Sequence, residues 1–152
     1  MNRNMHQNPE KFEISLKVLI KNNKSEYLLL KSQPQSKYFH GKYDLPGGRV
    51  NKEEINADFH RFIDREIKEE VGNIKYQLRA DPVSLAIYPY QYMGNVLYIL
   101  FEAKYLSGRI KISGEHTQYL WQKIKVANLK KLFHPSLRKL FLNYLKWNKI
   151  KL

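Results

Sequence analysis

The sequence predicts an α/β domain, built mostly of strands with one helix near the middle and one at the end. Three observations predict it. Phe12, Ile14, Leu16, Val18 and Ile20 alternate at period two, as in a strand. Ile55, Phe59, Ile63, Ile67 and Val71 recur every fourth residue, which draws one apolar face along a helix over residues 54–72. After His134-Pro135-Ser136, Leu137, Leu140, Phe141, Tyr144, Leu145 and Trp147 trace a second helical face.

Each element then follows in order. Residues 1–11 read as a loose N-terminal arm, and residues 12–152 as a single domain. The strand Phe12–Lys21 ends in a polar turn and is followed by a short strand Tyr27–Leu30, its expected hairpin partner. A loop runs from Pro34 to Lys42, and Gly41–Gly48 is expected to interrupt regular structure. Beyond the central helix, Gly72-Asn73 is a C-terminal stop. Ile74–Arg79, Val83–Tyr92 and Asn95–Tyr105 read as strands, with breaks at Asp81-Pro82, Met93-Gly94 and Ser107-Gly108. Gln118–Ile124 is short and mixed, and Val126–Phe133 supplies a helical turn or two. Pro135 suits the first turn of the final helix, where a missing amide hydrogen costs nothing.

Composition narrows the chemistry. A chain of 152 residues can bury roughly 70% of its unfolded surface, enough for one sizeable core. There are no cysteines, so disulfides, thiolate metal sites and cysteine nucleophiles are excluded. The N-terminal residues lack an apolar targeting segment and no run approaches a membrane span, so a cytoplasmic location is expected. The net charge is +13. Its distribution is uneven: seven of the 14 acidic residues fall between Glu53 and Glu70, whereas Lys123–Leu152 holds nine Lys or Arg and no acid. A basic chain that gathers its carboxylates in one short segment fits a hard-cation site facing a phosphorylated ligand.

Glu66, Glu69 and Glu70 stand at i, i+3 and i+4, on one side of the central helix. Like charges so placed repel, and either flanking cations such as Arg61, Arg65 and Lys68 or a divalent ion must offset them. The stretch Lys42-Tyr43-Asp44-Leu45-Pro46-Gly47-Gly48 precedes this helix. Its paired glycines allow close approach of backbone to a ligand or to the acidic face.

Taken together these residues resemble the Nudix hydrolase family. Gly48 is followed after five residues by Glu54, and Arg65-Glu66-Ile67-Lys68-Glu69-Glu70-Val71-Gly72 matches the second block of the family motif at every fixed position but the last. Ten residues separate Glu54 from Arg65 rather than seven, an insertion of three. Phe39–Gly48 and Glu115–Trp121 are also similar to flanking segments of the family. The resemblance implies an α/β/α sandwich around a mixed β-sheet. It also implies hydrolysis of a phosphoanhydride bond in a nucleoside diphosphate linked to another group. By the same resemblance Glu66, Glu69 and Glu70 would ligate Mg2+ or Mn2+ with the Gly48 backbone, and Arg65 would orient them. Glu115 would be a further ligand or the general base.

Around this set, Gly47, Gly48, Arg49, Tyr43 and Lys31 are candidates for binding substrate. Lys31 and Arg49 would meet phosphate. Tyr43, Phe39, Tyr88, Tyr90 and Tyr92 are candidates for stacking on a base. His116 is a candidate for hydrogen-bonding near the metal or for a structural role. The expected partner is a phosphorylated nucleotide-type small molecule, on a monomer or homodimer away from any membrane. The alternative is a catalytically weak or inactive module on the same fold that binds nucleotide or RNA, which the acid-free basic C-terminal segment would suit.

Overall fold

In the computed structural model, which describes residues 8–149, eight strands and three helices follow one another along the chain. They are β1 (Phe12–Lys21), β2 (Tyr27–Ser32), β3 (Tyr43–Asp44), β4 (Gly47–Arg49), α1 (Phe59–Val71), β5 (Lys75–Leu78), β6 (Ser84–Tyr90), β7 (Gly94–Ser107), β8 (His116–Gln122), α2 (Leu129–Leu132) and α3 (Pro135–Lys149). The strands form one mixed sheet with a spine β3-β2-β1-β7-β5, on which β4 joins β1, β6 joins β7 and β8 joins β2. Only β1 and β7 are parallel, in register from Phe12↔Asn95 to Lys21↔Lys104.

β1 is the axis of the molecule. Leu16, Val18 and Ile20 point into an apolar layer with Phe62, Ile63, Ile67 and Val71 of α1. Leu19 belongs to a second layer with Leu137, Leu140 and Phe141 of α3. A strand covered on both faces reads as a continuous buried run, and residues 15–20 are all buried. The result is the expected sandwich, a mixed sheet with helices on either side.

Several expected boundaries move. The central helix begins at Phe59, not at residue 54. Ile55, which continued the four-residue rhythm, is 62% exposed. The reason is local. Asp58 is the N-cap, its extended backbone presenting a side chain that accepts from the His60 amide at 2.9 Å. Upstream, a 3-10 turn over Lys52–Glu54 is held by the Glu54 carboxylate, which accepts from the Asn51 amide and side chain. A short side chain that bonds backbone outside the helix competes with helix continuation, and apolar spacing alone does not register that competition.

Gly41–Gly48 does not simply interrupt structure, because it contains β3 and β4. Gly47 has φ +132°, and a Cβ there would drive into the Leu16 carbonyl. Glycine therefore lets β4 lie against Ser15, Leu16 and Lys17 of β1. β2 meets β1 only at Lys21↔Tyr27, and its long partner is β8, from Tyr27↔Gln122 to Ser32↔His116. The hairpin opens to admit β4, which neither strand's own pattern announces. β5, β6 and β7 differ from expectation by one or two residues at their ends, whereas β8 forms where only a short, mixed stretch was expected. Among the described residues no helix is long and apolar enough to cross a membrane.

Candidate active site

The carboxylates of α1 meet the glycine turn through its backbone. The Gly47 amide donates to Glu70 Oε2 at 2.7 Å. A Cβ on Gly48 would collide with the Glu66 carboxylate, so this glycine leaves the space that Glu66 fills. Glu70 is 7% exposed and Glu66 only partly exposed, whereas the Glu69 side chain is 58% exposed. The sequence pattern put all three on one flank. The structure turns two of them toward the glycines and leaves the third near the surface.

Arg65 ties the carboxylates together. Its guanidinium lies 2.5 Å from Glu54, 2.7 Å from Glu66 and 2.9 Å from Glu69. The repulsion expected along this helix is thus offset within the protein by Arg65, and around Glu70 by Lys17. Burial pushes the Glu70 carboxyl up to about 8; Lys17 opposes the rise, Asp44 and Glu66 add to it, and the Gly47 amide lowers it. Burial also raises Glu66, with Arg65 opposing and Glu69 reinforcing.

Of these groups Glu70, Lys17, Asp44 and Gly47 line a cavity of about 420 Å³, whereas Glu66 packs against Gly48 outside the lining. The floor of the cavity is polar. Eight polar or charged residues are buried among those described, and six of them line this cavity: Ser15, Lys17, Ser32, Asp44, Glu70 and His116. Buried polar groups are costly unless paired, so their convergence on one cavity makes it the candidate binding site. Lys17 Nζ donates to Asp44 at 2.8 Å and to the Leu45 carbonyl at 3.3 Å. His116 Nδ1 is buried with no hydrogen-bond partner, and burial lowers the pKa of this imidazole. Glu115 lies on the cavity wall and is exposed.

The cavity also takes in Gly47, Gly48 and Arg49. Arg49 pairs with Glu13 at 2.6 Å and lies 3.7 Å over the Tyr38 ring, whose hydroxyl it also bonds. Lys31 and Tyr43 are elsewhere, stacked on each other at 4.7 Å outside the cavity lining. Phe39 is buried in the core at the cavity edge. Tyr88 and Tyr90 pack with His134, and Tyr92 lies past the end of β6, 88% exposed.

Sequence reasoning missed Lys17, Asp44 and Tyr38. A signal existed for the first two: a lysine in the middle of an apolar strand needs a buried partner, and Asp44 sits before the Leu-Pro-Gly-Gly turn. Nothing in the spacing singled out Tyr38.

The donor set is one of hard oxygens, carboxylates beside the Gly47-Gly48 backbone, which suits magnesium or manganese in kind. As placed, however, Glu66 is bound to Arg65 and Glu70 to Gly47. Among the described residues no three His, Cys, Asp or Glu side chains converge to hold an ion.

A family pattern described as the NUDIX domain matches residues 11–144. No curated protein matches the chain. Among solved structures, the MutT protein from Methanosarcina mazei Go1 is similar, with 29% identity, TM-score 0.76, and coverage of 94% of this chain and 99% of that one. A Caenorhabditis elegans Ap4A hydrolase, solved as a binary complex, shares the fold at 18% identity and TM-score 0.66, over 90% of this chain and 98% of that one. The MutT NUDIX hydrolase from Burkholderia pseudomallei does so at 22% identity and TM-score 0.66, over 87% and 98%.

Proposed function

The chain belongs to the NUDIX family, hydrolases of nucleotide-linked substrates, and from that premise we propose that it cleaves a phosphoanhydride bond in a nucleoside diphosphate joined to a further group, with Mg2+ or Mn2+. The observation that carries this reading is the meeting of Glu70 with the Gly47-Gly48 backbone at a cavity lined by buried polar side chains, with Glu66 packed against Gly48 beside it.

A pyrophosphate is strongly anionic, and a bare carboxylate face would repel it. A divalent cation supplies neutralisation of the phosphate oxygens and polarisation of phosphorus. Glu66, Glu69, Glu70 and Glu115, with the Gly48 carbonyl, are the oxygens that would hold it. Everything else falls to the chain. Arg65 keeps Glu54, Glu66 and Glu69 in place before substrate arrives. The Gly47 amide fixes one oxygen of Glu70 and leaves the other for the site. Where Glu115 does not hold the ion, it is the carboxylate on the cavity wall that takes a proton from water. Arg49, released from Tyr38 and Glu13, meets phosphate, and the Tyr38 ring it uncovers offers a stacking face for a base. Gly47 and Gly48 keep the wall thin enough for phosphate to reach the carboxylates. In-line attack needs little more than such positioning and charge balance.

The three additional residues between Glu54 and Arg65 are assigned to the turn over residues 55–58. That Glu54 still reaches Arg65 at 2.5 Å supports this assignment.

The test is a panel of nucleoside diphosphate derivatives, assayed for nucleotide or phosphate release with Mg2+, Mn2+ or chelator. Turnover is expected only with metal, and E66Q or E70Q is expected to lower kcat on the order of 10²-fold. Turnover in chelator would refute the reading. A second reading, a catalytically weak nucleotide- or RNA-binding module, draws on Lys68, Arg109 and Lys111, which line an open cavity of about 840 Å³ beside Glu69. Salt-sensitive RNA binding without turnover on any substrate would favour it.

A further inference from the structure

Lys17 is a charged residue in the middle of the central strand, 4% exposed, with Leu16 and Val18 on either side in the core. Its ammonium has one ion-pair partner, Asp44 at 2.8 Å, itself 5% exposed, and one further acceptor, the Leu45 carbonyl at 3.3 Å. Asp44 spends its other oxygen on the Leu45 amide at 2.6 Å. Nothing about strand formation calls for this pair, since a buried ion pair is commonly no more stabilising than apolar residues of the same volume. Its position explains it better. Lys17 pairs in register with Gly47, the residue whose amide holds Glu70.

Asp44 of β3 pairs with Lys17 directly, Glu70 of α1 and His116 of β8 line the same cavity, and the charges of Glu70 and Glu66 act on the lysine through space. The Phe39 ring covers it at 5.3 Å. One fixed positive charge therefore sits within electrostatic reach of the two carboxylates that face the glycine turn, and one fixed negative charge partly cancels it. Neither water nor salt screens such buried charges well.

We propose that Lys17 is the resident counter-ion of the Glu66–Glu70 face, and that Asp44, by cancelling part of its charge, sets the affinity of that face for a divalent cation. This rests on the reading of those carboxylates as the metal-holding face. Lys17 and Asp44 are positioning residues, acting through Glu66 and Glu70. Lys17 lets the carboxylates stay together on the glycine turn when no ion is bound. Asp44 keeps that same lysine from repelling the ion when it arrives.

The signs of the effects separate this role from a structural one. Mn2+ binding to the whole chain, without substrate, is measured by calorimetry or electron paramagnetic resonance on wild type, K17M, D44N, the double variant and E70Q. Thermal melts confirm that each is folded. D44N leaves the lysine charge uncancelled and is expected to weaken Mn2+ binding on the order of tenfold. K17M removes the positive charge and is expected to bind at least as tightly as wild type. The double variant, which restores the local net charge and avoids leaving a lone buried ion, is expected to return to within about threefold of wild type. A merely structural pair would weaken binding in both single variants, and a pair in which Asp44 ligates the ion directly would leave the double variant as weak as D44N. Either pattern overturns the proposal, as does D44N binding like wild type. Should wild type show no Mn2+ binding that E70Q diminishes, the reading of the carboxylate face fails and this inference falls with it. In every other failure the face stands and only the role of the pair is lost.

Discussion

Gly47 and Gly48 are neighbours with different duties, and substitution should separate them. Gly47 has φ +132° and no room for a Cβ against the Leu16 backbone. Gly47→Ala is therefore expected to cost stability, roughly 1–3 kcal/mol in chemical denaturation. Gly48 has an ordinary backbone, and its crowding comes from the Glu66 carboxylate, the end of a flexible side chain. Gly48→Ala should melt nearly as wild type yet lose most of its turnover, because the methyl group displaces Glu66. Equal stability losses in the two variants would contradict this division. Glu70 makes a second prediction at the same scale. Burial raises its pKa from 4.5 to about 8, so the folded state holds the proton more tightly than the unfolded one. The stability this contributes is complete below pH 4.5 and disappears as pH rises through about 8. Urea melts in chelator should show stability falling between those limits, and Glu70→Gln should flatten the slope.

At the scale of elements, α1 depends on its start. Asp58 caps it through the His60 amide at 2.9 Å, four residues later than the apolar rhythm suggested. Asp58→Ala is expected to lower stability by about 1 kcal/mol, read by urea denaturation. Turnover of the folded enzyme should hold, since the site lies at the far end of the helix. Much of this element was legible in the sequence: its apolar stripe, its glycine stop and its paired carboxylates all follow from 3.6-residue geometry. Its first turn was not, because Ile55 fits the spacing of a helix whose backbone had already been claimed by Asp58, Asn51 and Glu54. The β3–β4 segment was harder still. Two and three residues long, these strands carry no periodicity, and they exist because β1 offers an edge where β2 diverges.

The whole molecule is two apolar layers sharing one sheet. α3 and its layer stand on the side of β1 away from α1, with Leu140 fully buried there. Leu140→Ala should cost 2–5 kcal/mol, the range for a leucine truncated in a packed core. It should leave kcat of the remaining folded protein close to wild type, since no side chain of α3 lines the candidate cavity among the described residues. Calorimetric unfolding and steady-state rates at low temperature check both halves. A parallel collapse of kcat would mean that α3 positions the site as well as covering the sheet.

By itself the sequence determined the class of the fold, the two helices and the clustering of acids beside a glycine pair, because each is a matter of local spacing or composition. The third dimension decided which carboxylates share the cavity and which side chains answer them. Glu69 and Glu70 are adjacent in the chain, yet one is exposed to solvent and the other is buried against Gly47. Lys17 and Asp44 are 27 residues apart and meet only because β4 enters between β1 and β2. Period and propensity act over a few residues along the chain. Electrostatics and exclusion of water act through space, and only the folded sheet says which charges are near enough to feel each other.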